Sequence, residues 1–216
     1  MSVYQILYLT VLAASFGICL FAYPSFEHTN RSLKVLLVLL SISLFTELVV
    51  NILHYTYNRK YAFIYHIYIP VEYTLLAYFF YLNNKTFVRR LILVSIPLYI
   101  IFSTLISLNL LTVEDHPSLN FNLAGVLLII WCFTTFFSIS ATQNVAFTHL
   151  PIFWICLGIL IFHSGIFFFN GIYNHLLDIN PKLALDLHRM IIKSANYILY
   201  TCFSIGFLCS YQMKKK

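Results

Sequence analysis

VLLVLLSISLFTELVVNILHYTY, residues 35–57, is a long apolar run that carries one acidic residue, Glu47, near its middle. About 20 apolar residues in helical form cross the roughly 30 Å hydrocarbon layer of a bilayer, so the run predicts a membrane helix. An ionisable group at that depth costs at least about 2.5–3.5 kcal/mol, so it requires a partner or a role. The run therefore indicates that the fold is embedded in a bilayer, and it marks Glu47 as a candidate functional residue.

Six further apolar runs of similar length occur in the chain, which has 216 residues. Together, the predicted helices cover residues 4–23, 35–57, 63–82, 91–113, 123–142, 152–173 and 187–211. The connections are short and strand-like alternation is absent, so the sequence predicts an all-α fold. We expect one polytopic membrane domain over residues 1–216, a bundle of seven transmembrane helices. The small pair Ser164–Gly165 predicts that another helix approaches helix six closely.

The composition excludes several classes of protein. Hydrophobic residues make up 61% of the chain and charged residues 9%. A soluble domain carries about 25% charged residues, so a soluble globular protein and a disordered chain are both excluded. The net charge of +6 does not indicate nucleic-acid binding, because the cations lie between apolar runs and at the C-terminus. Residues 1–5 include no basic residue, which predicts a retained first helix rather than a signal peptide.

The distribution of Lys and Arg predicts the orientation of the bundle. One side holds eight such residues, namely Arg31, Lys34, Lys85, Arg89, Arg90 and the three C-terminal lysines. The other side holds four, namely Arg59, Lys60, Lys182 and Arg189. Cytoplasmic loops are enriched in Lys and Arg. We therefore expect the N-terminus outside and the C-terminus in the cytoplasm.

Polar and ionisable residues recur in four predicted helices, at depths from the middle of the membrane to its outer side. In helix two, Glu47, Asn51 and His54 are spaced i, i+4 and i+7 and share one face. The others are His66 and Glu72 in helix three, His163 and Asn170 in helix six, and His188, Lys193 and Asn196 in helix seven. If these stripes face one another, they form one outward-facing polar pocket. His66 and Glu72 are about 240° apart on an ideal helix, so they share a face only if Pro70 changes the phase.

Three functions are compatible with such a pocket. The first and preferred one is a sensory or ligand-binding module that signals through a separate protein partner. The second is purely structural, with the polar groups fixing helix packing. The third is a metal-dependent membrane hydrolase, with zinc ligands drawn from His54, His66, His163, His188, Glu47 and Glu72. The metal-dependent enzyme is the less favoured hypothesis, because the sequence has no HxxxH or HExxH pair.

No other cofactor is predicted, and the partners follow from the membrane. Haem is disfavoured because the inner half of the bundle lacks histidines. Retinal on Lys193 is disfavoured because helix six lacks a central tryptophan. The expected partners are the lipid bilayer and a signalling protein. The sequence leaves open whether the protein forms a homo-oligomer.

Several stretches resemble one group of proteins. Residues 151–170, PIFWICLGILIFHSGIFFFN, carry P-x-F-W-I followed by S-G-x-F-F. This pattern resembles small seven-helix integral membrane proteins of bacteria, a group without an assigned activity. FTEL (45–48), YHIYIPVEY (65–73) and the last helix with His188 and Asn196 resemble the same group. The resemblance implies a bacterial inner-membrane protein. Residues 51–65 are more loosely similar to the turn between helices two and three of seven-helix bacterial sensory modules.

Overall fold

The computed structural model describes residues 3–26, 30–57, 62–109, 118–140 and 147–215. These residues form seven α-helices and one short 3-10 helix, Phe147–His149, and no strand. The α-helices are α1 (Val3–Phe26), α2 (Arg31–Tyr57), α3 (Ala62–Asn83), α4 (Thr86–Asn109), α5 (Ser118–Ser140), α6 (Pro151–Ile179) and α7 (Pro181–Lys215). The predicted all-α class is confirmed.

Six of the seven described α-helices are long and apolar enough to cross a membrane. Helix α3 is the exception, and its composition explains why. Five tyrosines, together with His66 and Glu72, lower the mean hydropathy of its 22 residues. Hydropathy thus marks six candidate spans, and the remaining helix is set apart by its polar side chains.

Helices α6 and α7 are longer than predicted. The apolar runs predicted an end at residue 173 and a new start at 187, but α6 continues to Ile179 and α7 begins at Pro181. Asn180 alone separates them, and its side-chain oxygen accepts a hydrogen bond from the N–H of Leu183 at 3.1 Å. This cap, followed by proline at the first helical position, starts α7 without a loop.

Some sequence-based expectations lie outside the described residues. These are the ends of two predicted helices at 110–113 and 141–142, and three of the residues counted for orientation, Arg59, Lys60 and Lys216.

Six helices form a closed ring. In the order α1, α2, α3, α5, α6 and α7, each packs against the next, and α7 packs against α1. Helix α4 lies outside this ring, against α3 and more lightly against α5. Helices that follow one another in sequence run in opposite directions. For example, Ser32 at the start of α2 contacts Asn83 at the end of α3, so these two helices are antiparallel. We call the end at which α1, α3, α5 and α7 begin the N-end, and the opposite end the C-end.

The C-end half of the ring is a closely packed core. Fully buried aromatic side chains come from the last turns of α1 and α3 and from the second half of α7, namely Phe26, Phe79, Phe80, Phe203 and Phe207. The rings of Phe26 and Phe207 stack with centroids 6.0 Å apart. Lys214 near the end of α7 donates to the Pro24 carbonyl at 2.6 Å and ties α7 to α1. This half contains a few buried polar pairs, such as Asn84 and Thr135, but its large buried side chains are mainly aromatic and aliphatic.

Helices α6 and α7 approach one another most closely at two glycines. A Cβ on Gly158 would lie 2.8 Å from the Cys202 Cβ, and one on Gly206 would lie 3.1 Å from the Pro151 carbonyl oxygen. A Cβ on Gly165 would meet nothing within 4 Å. The predicted close approach at Ser164–Gly165 is therefore wrong, because Gly165 is exposed and no described neighbouring helix comes near it.

Candidate functional site

A cavity of about 610 Å³ lies at the N-end of the ring. All six ring helices contribute to its lining, whereas no lining residue comes from α4. Eight of the ten predicted pocket residues line this cavity, namely Glu47, Asn51, His54, Glu72, Asn170, His188, Lys193 and Asn196. The structure thus brings together polar groups that are up to 149 residues apart in sequence, from Glu47 to Asn196.

Helical periodicity explains how so many side chains reach one space. The lining positions are 47, 50, 51 and 54 in α2, and 65, 68, 69 and 72 in α3. Both sets follow the i, i+3, i+4, i+7 spacing of a single helical face. In α7 the lining positions 188, 189, 192, 193, 196 and 200 continue one face over about three turns. Helices α2, α3 and α7 therefore each turn one mainly polar face toward the ring axis.

Tyrosine hydroxyls surround the two acidic side chains. The Tyr65 hydroxyl donates to Glu47 Oε1 at 3.3 Å. The Tyr68 hydroxyl lies 2.8 Å from Ser43 Oγ, and the same phenol lies beside the Glu72 carboxyl. Phenol groups are suited to this place, because each offers an apolar ring to the core and a polar oxygen to the cavity.

Glu72 and Tyr200 form the floor of the cavity. Both also line a second, much smaller space of about 10 Å³ on the C-end side, which Ser43 and His163 share. A space of that size has room for about one water molecule. The fully buried aromatic core follows beyond it. Within the described residues, the N-end cavity is therefore closed below Glu72 and Tyr200.

His163 does not line the N-end cavity, contrary to the prediction. Its side chain is 3% exposed and packs against the rings of Phe121 and Phe162, with centroids 5.4 and 4.9 Å away. Its Nδ1 atom is buried without a hydrogen-bond partner among the described residues and lies 3.1 Å from where a Cβ on Gly125 would be. The face of α6 that carries His163 is packed against α5, so the imidazole is buried between the two helices.

His66 also lies outside the cavity. Its Nδ1 atom is 2.8 Å from Ser107 Oγ on α4. Because α4 packs on the outside of the ring, this contact directs His66 away from the ring axis. The 240° separation from Glu72 on an ideal helix accounts for the difference, and Pro70 does not bring the two side chains to one face.

Helix α7 supplies both the Arg and the Lys side chain of the cavity lining, together with His188. His188 packs against the ring of Tyr173 on α6, with centroids 4.9 Å apart, and is partly buried. Arg189 is exposed, and it lies close enough to interact electrostatically with both His188 and Lys193. Lys193 is one turn deeper and half-buried.

The predicted zinc ligands do not assemble. Over the described ranges, which include all six of them, no group of three or more His, Cys, Asp or Glu side chains could hold a metal ion. His66 is directed toward α4 and His163 toward α5, so two of the four histidines are withdrawn from the cavity. His188 packs against α6, on the far side of the ring from Glu72.

Sequence analysis missed the contributions of α1 and α5. Gln5 and Tyr8 of α1 and Ser118 and Phe121 of α5 also line the cavity. The rings of Tyr8 and Tyr200 have centroids 6.1 Å apart, which links α1 to the floor. Gln5 and Tyr8 lie near a helix end, where polar and aromatic residues are common at a membrane interface. Sequence alone therefore does not distinguish them from interfacial residues.

Comparisons with protein-family models, with curated proteins and with solved structures give no significant match. The resemblance of residues 151–170 to small bacterial seven-helix proteins stays a prediction.

Proposed function

We propose that this protein is a seven-helix integral membrane protein of the bacterial inner membrane that binds a small ligand in the N-end cavity. The bound state would be passed to a separate partner protein, as in a sensory module. The cavity itself carries the proposal. Its volume of about 610 Å³ falls within the roughly 300–1,000 Å³ of small-molecule sites, and polar groups from six helices converge on it.

The arrangement of the helices supports a membrane location for all seven. Six are apolar and long enough to span, and α3 lies in the ring between α2 and α5. A ring that crosses the membrane therefore takes α3 across with it, and its Glu72 faces the cavity instead of lipid. The positive-inside rule places the N-end outside, which would open the cavity to the periplasm.

Ligand binding explains the cavity better than helix packing does. Polar groups that serve only to hold helices together pair with one another and leave no space between them. Here they surround a space of about 610 Å³, while the opposite half of the same ring is closely packed with aromatic side chains. The contrast between the two halves favours a site that is kept open for a ligand.

A screen by thermal unfolding tests the proposal. The full chain would be purified into nanodiscs and its unfolding temperature measured against a library of small polar molecules. Ile166→Trp fills the cavity from a lining position that is 3% exposed, and Ile172→Trp, at 56% exposure on the same helix, is the matched control. We expect some compounds to stabilise the wild type and the control but not Ile166→Trp.

The screen also separates binding from packing. If no compound distinguishes the wild type from Ile166→Trp, and the same holds for a second filling variant, Val50→Phe, the proposal is wrong. Glu47→Gln and Glu72→Gln extend the test. In a binding site they change ligand affinity more than stability, whereas in a packing network they lower the unfolding temperature and leave affinity unchanged.

Orientation has its own test. A green fluorescent protein fused to the C-terminus folds and fluoresces only when it stays in the cytoplasm. We expect fluorescence from this fusion, and a dark fusion would place the cavity on the cytoplasmic side.

A further inference from the structure

We propose that the ligand is a zwitterion, with its amino group toward Glu47 and Glu72 and its anionic group toward Arg189 and Lys193. This inference rests on the proposed function, because it assigns the chemistry of the ligand in the same cavity. It follows from where the charged side chains lie on the ring and at what depth.

Charges of opposite sign line different walls of the cavity. The acidic groups are on α2 and α3, and the Lys and Arg side chains of the lining, Arg189 and Lys193, are both on α7. In the ring order, α7 lies across from α3 and is separated from α2 by α1. Like charges are also the near neighbours, since Glu72 interacts with Glu47, and Arg189 with Lys193. The cavity therefore presents an acidic wall opposite a basic one.

The two walls also differ in depth. Glu72 shares the floor with Tyr200, whereas Arg189 precedes Tyr200 by eleven residues and lies about 16 Å nearer the mouth along the helix. Lys193, seven residues before Tyr200, lies about 10 Å above it by the same rise. A ligand with charges at its two ends would therefore enter with its amino group first.

The neutral lining suits the same class of ligand. Tyr65 and Tyr68 line the cavity beside the acidic groups, and aromatic rings attract ammonium groups. The amides of Asn51 and Asn196 are held in place, since each donates to a carbonyl of its own helix at 2.7 and 2.9 Å. Fixed amides between two charged ends match a ligand with polar groups along its length.

Two sources can supply this chemistry. One is a free zwitterion such as a short peptide, and the other is the headgroup of a zwitterionic lipid that enters from the outer leaflet. Both pair an ammonium group with a carboxylate or phosphate. The experiment therefore includes one arm for each.

The free-ligand arm uses tetra-alanine, its N-acetyl form and its C-terminal amide, with dissociation constants measured by calorimetry in phosphatidylglycerol nanodiscs. We expect each blocking group to weaken binding at least 10-fold. Glu72→Gln should remove the penalty for N-acetylation, and Arg189→Gln with Lys193→Gln should remove the penalty for amidation. Asp186→Asn and Lys182→Gln are matched controls, because both side chains are exposed on α7 outside the cavity.

The lipid arm compares unfolding temperatures in nanodiscs of phosphatidylethanolamine and of phosphatidylglycerol. A headgroup ligand raises the unfolding temperature in the phosphatidylethanolamine discs, and Glu72→Gln abolishes the difference while Asp186→Asn keeps it. Either arm, with its charge-specific variants, supports the proposal. The proposal is overturned if blocked and free peptides bind alike, or if no probe in either arm binds. In those cases the compound screen against Ile166→Trp still decides whether the cavity binds any ligand.

Discussion

The contact between α6 and α7 at Gly158 gives the sharpest test of the fold. In Gly158→Ala the new methyl carbon would lie 2.8 Å from the Cys202 Cβ and 3.3 Å from the Leu199 carbonyl oxygen. Carbon atoms pack best at about 3.5–4.0 Å, so the overlap is about 0.7–1.2 Å. A Cβ atom is fixed to its backbone and no rotamer relieves the clash, so the two helices must separate. Overpacking of this kind costs about 1–3 kcal/mol.

Gly165→Ala is the matched control for this variant. It is the same substitution on the same helix, and the new methyl group would meet nothing within 4 Å. The gain in helix propensity, up to about 1 kcal/mol, is common to both variants and cancels in the comparison. We therefore expect Gly158→Ala to be about 1–3 kcal/mol less stable than Gly165→Ala.

The assay is reversible unfolding by dodecyl sulfate in mixed micelles, followed by circular dichroism. A double-mutant cycle adds Cys202→Gly, which removes the opposing Cβ. In that background the cost of Gly158→Ala should fall toward that of Gly165→Ala, because only the 3.3 Å approach to the Leu199 carbonyl oxygen remains. Equal stability of the two alanine variants in the native background would contradict the close α6–α7 contact.

Two further variants probe buried contacts around α5, each by the same unfolding assay. Gly125→Ala brings a methyl group to 3.1 Å from His163 Nδ1, so it should destabilise the wild type but be tolerated in a His163→Ala background. Thr135→Val removes an acceptor that lies 2.7 Å from Asn84 Nδ2, and a lost interhelical hydrogen bond costs about 0.6–1.7 kcal/mol. Thr134→Val is its control, because Thr134 donates only within its own helix at 3.0 Å, and equal costs for the two would refute the interhelical role.

Periodicity made much of the candidate site predictable. Glu47, Asn51 and His54 share a helical face whatever the tertiary structure, and the structure turns that face toward the cavity. The depth of each group in its apolar run also follows from counting residues at 1.5 Å each. Both arguments use only local geometry, which the sequence determines.

Helix rotation and neighbours were not predictable in the same way. The sequence contains no signal that α4 lies outside the ring. The side chain of His66 is directed toward α4, where it contacts Ser107, so its position could not be predicted either. His163 likewise faces Gly125, and this pairing depends on which helix packs against α6. A polar residue on an apolar helix is directed toward protein and away from lipid. In this bundle that direction can be the cavity, a neighbouring ring helix or the outer helix α4, and the sequence does not say which.

The difference between the two ends of the ring bears on mechanism. A channel requires a continuous polar path, whereas here the path ends at Glu72 and Tyr200, above buried aromatic residues such as Phe203. A site that is open at one end binds a ligand without passing it on. Helix α7 contacts the cavity through Tyr200 and, near its last turn, the Pro24 carbonyl of α1 through Lys214, so a shift of α7 on binding would reach the C-end of the ring. In the proposed sensory module, ligand occupancy at the N-end would thus change helix position at the C-end.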